Sequence, residues 1–237
     1  MSDYDIVLRA IGVHRVFPSG SCELHVLKGI DIEIKKGEMV SLLGPSGSGK
    51  STLLHILAGL DTPTDGRVFW ADVDIFSIRD TQRSRMRNRK IGFVFQFHHL
   101  FPELTALENV ILPLLIRGEN KGNVKGRAME LLHRFGLEER AGHFPSQLSG
   151  GEAQRVAVAR AIITKPEILL ADEPSGNLDG ENKEVLHNML AEINRQFGTT
   201  MLIATHNMEL ATITSRILYL RDGRVEERKE AGGGVLV

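Results

Sequence analysis

The chain has 237 residues, a formal net charge of −1 and 42% hydrophobic residues. This length suits one large domain or two small ones, and the near-neutral charge excludes a protein that binds polyanions by bulk electrostatics alone. The single cysteine, Cys22, excludes an internal disulfide framework. No apolar run reaches the roughly 18 residues of a membrane span, and residues 1–5 lack the basic and apolar character of a signal peptide.

The hydrophobic pattern predicts alternating strands and helices along the chain. Residues 30–34 alternate apolar and acidic side chains, as in a half-exposed strand, and 39–43 are nearly all apolar, as in a fully buried one. A glycine loop and a helix from about Gly49 follow. Further buried strands are predicted at 91–95, 168–171 and 200–204, and helices near 80–90, 123–135, 151–164 and 181–196.

Apolar strands that alternate with helices indicate an α/β fold with a mainly parallel sheet. Residues 97–165 break this alternation because they are mostly helical, and we interpret them as a helical subdomain inserted into the α/β core. We therefore expect residues 1–237 to form one domain with a core of 1–96 and 166–230. The glycine-rich tail, 231–237, is expected to be disordered.

One segment carries a complete phosphate-binding pattern, GxxxxGK[ST], between a predicted buried strand and a predicted helix. Glycines let successive backbone N–H groups point at phosphate oxygens, and the following helix adds its positive N-terminal end. Lys50 would reach the β- and γ-phosphates, and the hydroxyl of Ser51 would ligate Mg²⁺. The candidate residues are Gly44, Pro45, Ser46, Gly47, Ser48, Gly49, Lys50, Ser51 and Thr52.

Two acidic residues follow the strand predicted at 168–171. That strand would carry Asp172 to the carboxyl edge of the sheet, where Asp172 could hold Mg²⁺ directly or through water. Glu173 could polarise the attacking water as general base. Solvated acids at a strand end are the alternative for an isolated pair, but the complete phosphate loop favours the functional interpretation.

A second glycine-containing stretch, Leu148-Ser149-Gly150-Gly151-Glu152, opens the helix predicted at 151–164. Its hydroxyl, its glycine amides and the helix N-terminus would form another anion-seeking surface. An ordinary glycine turn before a helix gives the same pattern, and spacing alone does not rank the two.

The nucleotide base is expected to stack on an aromatic ring. Phe17, in a loop ahead of the phosphate loop, is the candidate, and an ordinary core phenylalanine is the alternative. Residues 182–185 begin like the guanine-reading NKxD motif but end in Val185, so we interpret them as helix surface.

The order of these motifs resembles that of the ATP-binding cassette (ABC) ATPases. The phosphate loop, Gln96, the LSGGE stretch, Asp172-Glu173 and His206 follow one another as in that family, over essentially the whole chain. The resemblance implies a P-loop NTPase core with an antiparallel β part at the N-terminus. It also implies that Gln96 contacts Mg²⁺ and senses the γ-phosphate, and that His206 holds the γ-phosphate and orients the water.

In ABC ATPases, two chains close around two ATP molecules, and the signature of one chain caps the nucleotide of the other. The resemblance therefore implies a homodimer that binds ATP and Mg²⁺, in which Ser149, Gly150, Gly151 and Glu152 act in trans. Residues 175–179 resemble the loop that crosses to the second subunit. Asn207 replaces a common aspartate, and we expect little consequence.

More specific stretches resemble the ATPase subunits of bacterial lipoprotein-releasing systems, namely residues 53–64, 96–100, 105–110 and 172–179. That resemblance implies a peripheral protein on the cytoplasmic face of the inner membrane, without direct contact to cargo or nucleic acid. Two permease subunits would be contacted near Phe97, His98, His99, Leu100 and Phe101, for which packing within the helical insertion is the alternative.

Other functions remain open at this point. The ATPases of macrolide or peptide exporters and of the cell-division complex share the catalytic motifs. A soluble ABC ATPase acting on DNA or ribosomes is less favoured, since the chain has one cassette and no long coiled-coil insertion. The basic stretch 83–90 spreads its charges around a helix, which favours a solvated helix over a nucleic-acid contact.

Overall fold

The computed structural model describes residues 5–20 and 22–228, which contain two β-sheets. The strands are β1 (Ile6–Ser19), β2 (Cys22–Lys35), β3 (Met39–Leu43), β4 (Asp65–Trp70), β5 (Val73–Asp74), β6 (Ile91–Val94), β7 (Ile168–Asp172), β8 (Thr200–Thr205), β9 (Arg216–Arg221) and β10 (Arg224–Arg228). The larger sheet has the order β10-β9-β3-β8-β7-β6 and is parallel except at β9–β10. The smaller sheet, β2-β1-β4-β5, is antiparallel. The predicted fold class is confirmed.

Seven α-helices surround the sheets in the described part of the chain. They are α1 (Lys50–Leu57), α2 (Asp80–Lys90), α3 (Ala106–Ile116), α4 (Lys121–Arg134), α5 (Gly150–Ile162), α6 (Gly180–Phe197) and α7 (Met208–Thr212), with short 3₁₀ turns at Glu138–Arg140 and Pro145–Gln147. None of these helices is long and apolar enough to cross a membrane. The regular elements between 97 and 165 are all helical, and the boundaries of an inserted subdomain stay a prediction.

The larger sheet separates two hydrophobic clusters, because successive side chains of a strand point to opposite faces. On β7, Leu169 and Ala171 pack with helices α3 to α6, whereas Leu170 packs with α1 and the smaller sheet. Strands β3, β7 and β8 are buried at every position. This burial on both faces explains their continuous apolar runs.

The strands expected at 39–43, 168–171 and 200–204 are confirmed, and the four predicted helices agree within two residues at each end. Strand β6 ends at Val94, so the prediction that Phe95 belongs to it is wrong. Periodicity does not predict α3, which contains Pro113, nor the short strands β4, β5, β9 and β10. The tail expected to be disordered, 231–237, lies outside the described residues.

A buried asparagine fixes the loop ahead of α3. The side chain of Asn109 accepts a hydrogen bond from the N–H of Phe101 at 2.8 Å. It donates to the carbonyls of Phe101, Leu104 and Thr105 at 3.1, 3.0 and 3.1 Å. Asn109 has no exposed surface, so it holds both ends of segment 101–105 from inside the protein.

Replacing this residue, Asn109→Ala, should destabilise the fold by about 1–3 kcal/mol, because buried backbone groups lose their partners. Urea unfolding of this variant and of Asn123→Ala, an exposed asparagine on α4, gives the comparison. Equal unfolding midpoints for the two variants would contradict the role of Asn109.

Candidate nucleotide-binding and hydrolysis site

Three strand ends carry candidate residues to the same edge of the larger sheet as the phosphate loop, which follows β3. Gln96 comes after β6, Asp172 ends β7, and His206 comes directly after β8. Parallel pairing, for example Asp172 with Ala204, places these ends side by side. The structure thus brings the predicted residues to the carboxyl edge, where ligands bind in such sheets.

Two glycines with a left-handed backbone shape the phosphate loop. Gly47 has a φ of 77°, and Gly49, which caps the N-terminus of α1, has a φ of 101°. A Cβ on Gly49 would also lie 2.9 Å from the side chain of Val26, so conformation and space both require glycine there. Helix α1 begins directly afterwards, and its first turn, with Ser51 and Thr52, leaves backbone N–H groups available to an anion.

A series of polar contacts joins the phosphate loop to Glu173 and His206, two of the three candidate catalytic residues. Nζ of Lys50 donates to the carbonyls of Gly44 at 2.8 Å and Pro45 at 3.2 Å, and it lies 3.7 Å from Oε1 of Glu173. The other carboxylate oxygen, Oε2, lies 3.0 Å from Nδ1 of His206 and accepts that residue's backbone N–H at 3.3 Å. The candidate base therefore lies between a cation and a histidine.

Glu173 has an uncommon backbone conformation. Its φ of 45° is in the left-handed region, which costs a non-glycine residue about 1 kcal/mol. Its N–H donates to the carbonyl of Ala204 at 2.8 Å, and its side chain is only 12% exposed. Strain of this kind is concentrated at functional sites, where the surrounding structure maintains it.

Asp172 is buried, and this burial raises the pKa of its carboxyl, while a hydrogen bond with Ser51 opposes the shift. Its Oδ1 has no hydrogen-bond partner within the protein. Such an oxygen suits a hard cation, and the oxygens of Ser51 and Gln96 suit Mg²⁺, which keeps waters and phosphate oxygens in its shell. No cluster of three or more His, Cys, Asp or Glu side chains that could hold a metal exists among residues 5–20 and 22–228.

Gln96 is exposed and lies beside the loop at 175–179. Its carbonyl accepts a hydrogen bond from the side chain of Asn177 at 3.4 Å. Gln154 of α5 donates to the carbonyl of the preceding residue, Phe95, at 3.1 Å. Gln154 could not be predicted from the sequence, because no local pattern shows that a helix residue contacts a backbone carbonyl 59 positions away.

The LSGGE stretch forms the capped start of α5. The hydroxyl of Ser149 accepts from the N–H of Glu152 at 3.2 Å, and Glu152 accepts from the N–H of Ser149 at 2.8 Å. That backbone donor, together with Arg140 at 2.9 Å, lowers the pKa of Glu152. No hydrogen bond or ion pair in the described chain joins Ser149, Gly150, Gly151 or Glu152 to the phosphate loop. Ser149 and Gly150 are exposed to solvent.

Phe17 lies in strand β1, where it pairs with Leu24 of β2, so its predicted place in a loop is wrong. Periodicity misses this strand because the β1–β2 pairing contains several register shifts. The ring is half-buried, and the guanidinium of Arg15 lies 4.4 Å from its centre. Arg15 is itself paired with Asp61 at 2.9 Å. Stacking of a base on Phe17 stays a prediction.

Residues 97–101 form an aromatic patch, called here the 97–101 patch. Phe97 is 60% exposed and Phe101 49% exposed, whereas Leu100 packs against the core. Arg160 of α5 donates to the carbonyls of both histidines of the patch at 2.8 Å. The patch is therefore anchored through its backbone and presents two phenylalanine rings to solvent.

Residues 182–185 lie in α6, as the sequence analysis expects. The interpretation as helix surface is confirmed for Val185, which is 43% exposed. It is wrong for Asn182, which is half-buried against Gly151.

Comparison with known proteins matches residues 27–176 to the ABC transporter family. The chain is 46% identical over 219 residues to the lipoprotein-releasing system ATP-binding protein LolD of Idiomarina loihiensis, covering 92% of this chain and 96% of that protein. It is 44% identical over 225 residues to the LolD protein of Legionella pneumophila, covering 95% and 99%.

Solved ABC cassettes have the same fold. The dimeric structure of the bacterial ABC transporter cassette MJ0796 superposes with a TM-score of 0.89 at 42% identity, covering 95% of this chain and all of that one. A dimeric post-hydrolysis state of MJ0796 bound to ADP and phosphate gives 0.88 at the same identity and coverage. For cbiO1 of Clostridium perfringens, part of the transporter complex cbiONQ, the TM-score is 0.81 at 29% identity, covering 94% and 87%.

The raised pKa of Asp172 predicts a conflict between stability and activity. A carboxyl whose pKa is higher in the folded state lowers stability as the pH rises through that pKa. In the absence of nucleotide, Asp172→Asn should therefore melt at a higher temperature than the wild type at pH 7, and this advantage should shrink towards pH 4. ATP hydrolysis should be lost.

Thermal melts across this pH range, beside an ATPase assay, test the conflict. Asp222→Asn, at an 87% exposed position, is the matched control and should change neither quantity. A lower melting temperature for Asp172→Asn at pH 7 would contradict the account of its burial.

Proposed function

This chain belongs to the ABC transporter family as an ATP-hydrolysing cassette, and we propose that it drives the release of lipoproteins from the bacterial inner membrane. The observation that carries the ATPase mechanism is the convergence of Lys50, Glu173 and His206 at the carboxyl edge of the parallel sheet. The narrower transport function rests on the similarity to two LolD proteins along almost their whole length.

Binding of ATP begins at the phosphate loop. Backbone N–H groups of the phosphate loop, from Ser46 to Thr52, surround the β- and γ-phosphates, and Lys50 neutralises part of their charge. Phe17 offers its ring to the adenine by stacking. Bound Mg²⁺, held by Ser51, Asp172 and Gln96, would supply charge neutralisation on the phosphate oxygens.

Hydrolysis requires a base beside the γ-phosphate. Glu173 accepts a proton from the water as its oxygen attacks the γ-phosphorus, and the bond to the β,γ-bridging oxygen breaks to leave ADP and phosphate. His206, 3.0 Å from the same carboxylate, orients that water and contacts the γ-phosphate. Nζ of Lys50, 3.7 Å from Oε1 of Glu173, places a positive charge between this carboxylate and the phosphate loop.

The second glycine stretch serves the ATP of a second copy. In this stretch, which runs from Ser149 to Glu152, Ser149 and Gly150 are exposed to solvent at the N-terminus of α5, and this end attracts a phosphate. A two-fold dimer supplies each phosphate loop with a signature from the other chain. The dimeric structures of MJ0796 support the formation of a dimer.

Replacement of the base, Glu173→Gln, should lower the turnover number about 10²–10⁴-fold and leave ATP binding intact. Since ATP then persists between the chains, the variant should form a stable dimer with ATP and stay monomeric with ADP. Size-exclusion chromatography and a phosphate-release assay measure the two effects. Normal turnover would refute the assignment of Glu173.

The transport function requires membrane partners, and we place the chain on the cytoplasmic face of the inner membrane. A lipid anchor resists extraction by about 0.8 kcal/mol per buried CH₂, so removal of several acyl chains needs a driven step. Dimer closure on ATP and opening after hydrolysis would provide that drive. Macrolide export and cell division are the alternatives that share the same catalytic residues.

We assign the permease contact to the 97–101 patch. Phe97 and Phe101 are exposed aromatic rings on a backbone that is fixed by Arg160 and Asn109, which suits a preorganised docking site. Gln96, a candidate ligand of Mg²⁺, is directly bonded to Phe97, the first residue of the patch. A permease that displaces the patch would therefore also displace Gln96 at the nucleotide site.

Partner capture tests the narrower function. The tagged chain is expressed in its own bacterium, and membrane proteins that copurify are identified; lipoprotein-releasing permeases are expected. The double variant Phe97→Ser/Phe101→Ser should lose this capture and keep the ATPase activity of the isolated chain. Phe197→Ser, at another half-exposed phenylalanine, is the matched control and should retain both. Capture of an exporter or a cell-division permease would reject lipoprotein release, and capture by the double variant would reject the patch.

A further inference from the structure

Asn182, in the first turn of α6, contacts both elements that face the second subunit in the proposed dimer. Its side-chain amide donates to Oδ1 and Oδ2 of Asp179 at 3.0 and 3.1 Å, and its backbone N–H donates to Oδ1 at 3.0 Å. Its own Oδ1 accepts from Nη1 of Arg155, in the signature helix α5, at 3.2 Å. One side chain thus bridges α5 and the end of the loop at 175–179.

The two glycines of the signature have different surroundings at this bridge. A Cβ on Gly151 would lie 2.1 Å from Oδ1 of Asn182 and 2.5 Å from its Cγ. A Cβ on Gly150 would meet nothing within 4 Å. Asn182 therefore occupies the space that a side chain at position 151 would need. Position 150 has open space at the helix N-terminus.

The loop between Glu173 and Asp179 is held along its length. The carbonyl of Glu173 accepts from the N–H of Gly176 at 3.0 Å, and the carbonyl of Ser175 accepts from the N–H of Leu178 at 3.2 Å. Oγ of Ser175 lies 3.0 Å from Nε2 of His187, and both side chains are buried. Hydrogen bonds therefore hold the loop from the backbone of Glu173 towards Asp179, and Asn182 connects its end to the signature helix.

We infer that Asn182 is a positioning residue that fixes the signature of one chain relative to its own catalytic loop. This inference rests on the proposed function, in which that signature caps the partner's ATP while Glu173 acts on the chain's own ATP. The two half-sites of one chain then move as one unit. A displacement of the catalytic loop after hydrolysis at one site therefore also displaces the signature that covers the other site. Without Asn182, each half-site still exists, but their relative placement is lost.

The test is Asn182→Ala, made alone and in the Glu173→Gln background. Alone, it should bind ADP as tightly as the wild type, because the phosphate loop is untouched. Its turnover number should fall by a larger factor than the factor by which its KM changes. In the Glu173→Gln background, ATP-dependent dimerisation should weaken about tenfold, the usual worth of a hydrogen bond between polar groups. Sedimentation velocity measures the dimer, and Asn188→Ala, at an exposed asparagine of the same helix, is the control.

A second variant separates positioning from loss of fold. Gly151→Ala alone should prevent dimerisation, because its methyl group meets Asn182, and the double variant Gly151→Ala/Asn182→Ala should recover it partly, since the nearest remaining contact, at 3.1 Å, needs only a small shift. Strictly additive losses would overturn the inference, as would undiminished dimerisation of Asn182→Ala/Glu173→Gln. If Glu173→Gln itself fails to dimerise with ATP, the proposed function fails instead.

Discussion

The parallel pairing of β6, β7, β8 and β3 is the constraint on which the site depends. Parallel strands present their carboxyl ends at one edge, so residues distant in sequence meet there. Apolar clusters cover both faces of this sheet, and β3, β7 and β8 are buried at every position. Glu173 and His206 come within 3.0 Å because β7 and β8, which they follow, are paired in register, and Lys50, at the start of α1 after β3, lies 3.7 Å from Glu173.

Two residues of this site, Asp172 and Glu173, lower the stability of the folded protein. Asp172 is buried with an oxygen that has no partner, and Glu173 has a left-handed backbone. Each feature costs free energy that a neutral amide or a glycine would avoid. Both are offset by the hydrophobic burial on either side of the sheet. We attribute this loss of stability to function, because binding of a charged nucleotide at this edge requires these residues.

The sequence predicts the parts whose chemistry is local. The phosphate loop and the acids after β7 follow from spacing, because a strand, a turn and a helix start determine their geometry within a few residues. Asn182, Gln154 and Asn109 could not be predicted, since each acts across a tertiary contact. The sequence pattern predicts a loop at Phe17, because the register shifts of the β1–β2 pairing interrupt the alternation of apolar and polar residues. The sequence also does not show that a side chain would clash at Gly151 and fit at Gly150, because this difference depends on where α6 places Asn182.

In the dimer that we propose, a complete site needs the phosphate loop of one chain and the signature of another. Mixing two inactive variants tests it directly. Lys50→Ala disables the phosphate loop, and Gly150→Asp places a negative charge on the signature at a position where the fold has room for a side chain. Each variant alone should fail to hydrolyse ATP, and the mixture should regain activity, because a mixed dimer contains one intact loop opposite one intact signature. A mixture of folded variants that stays inactive would contradict the account.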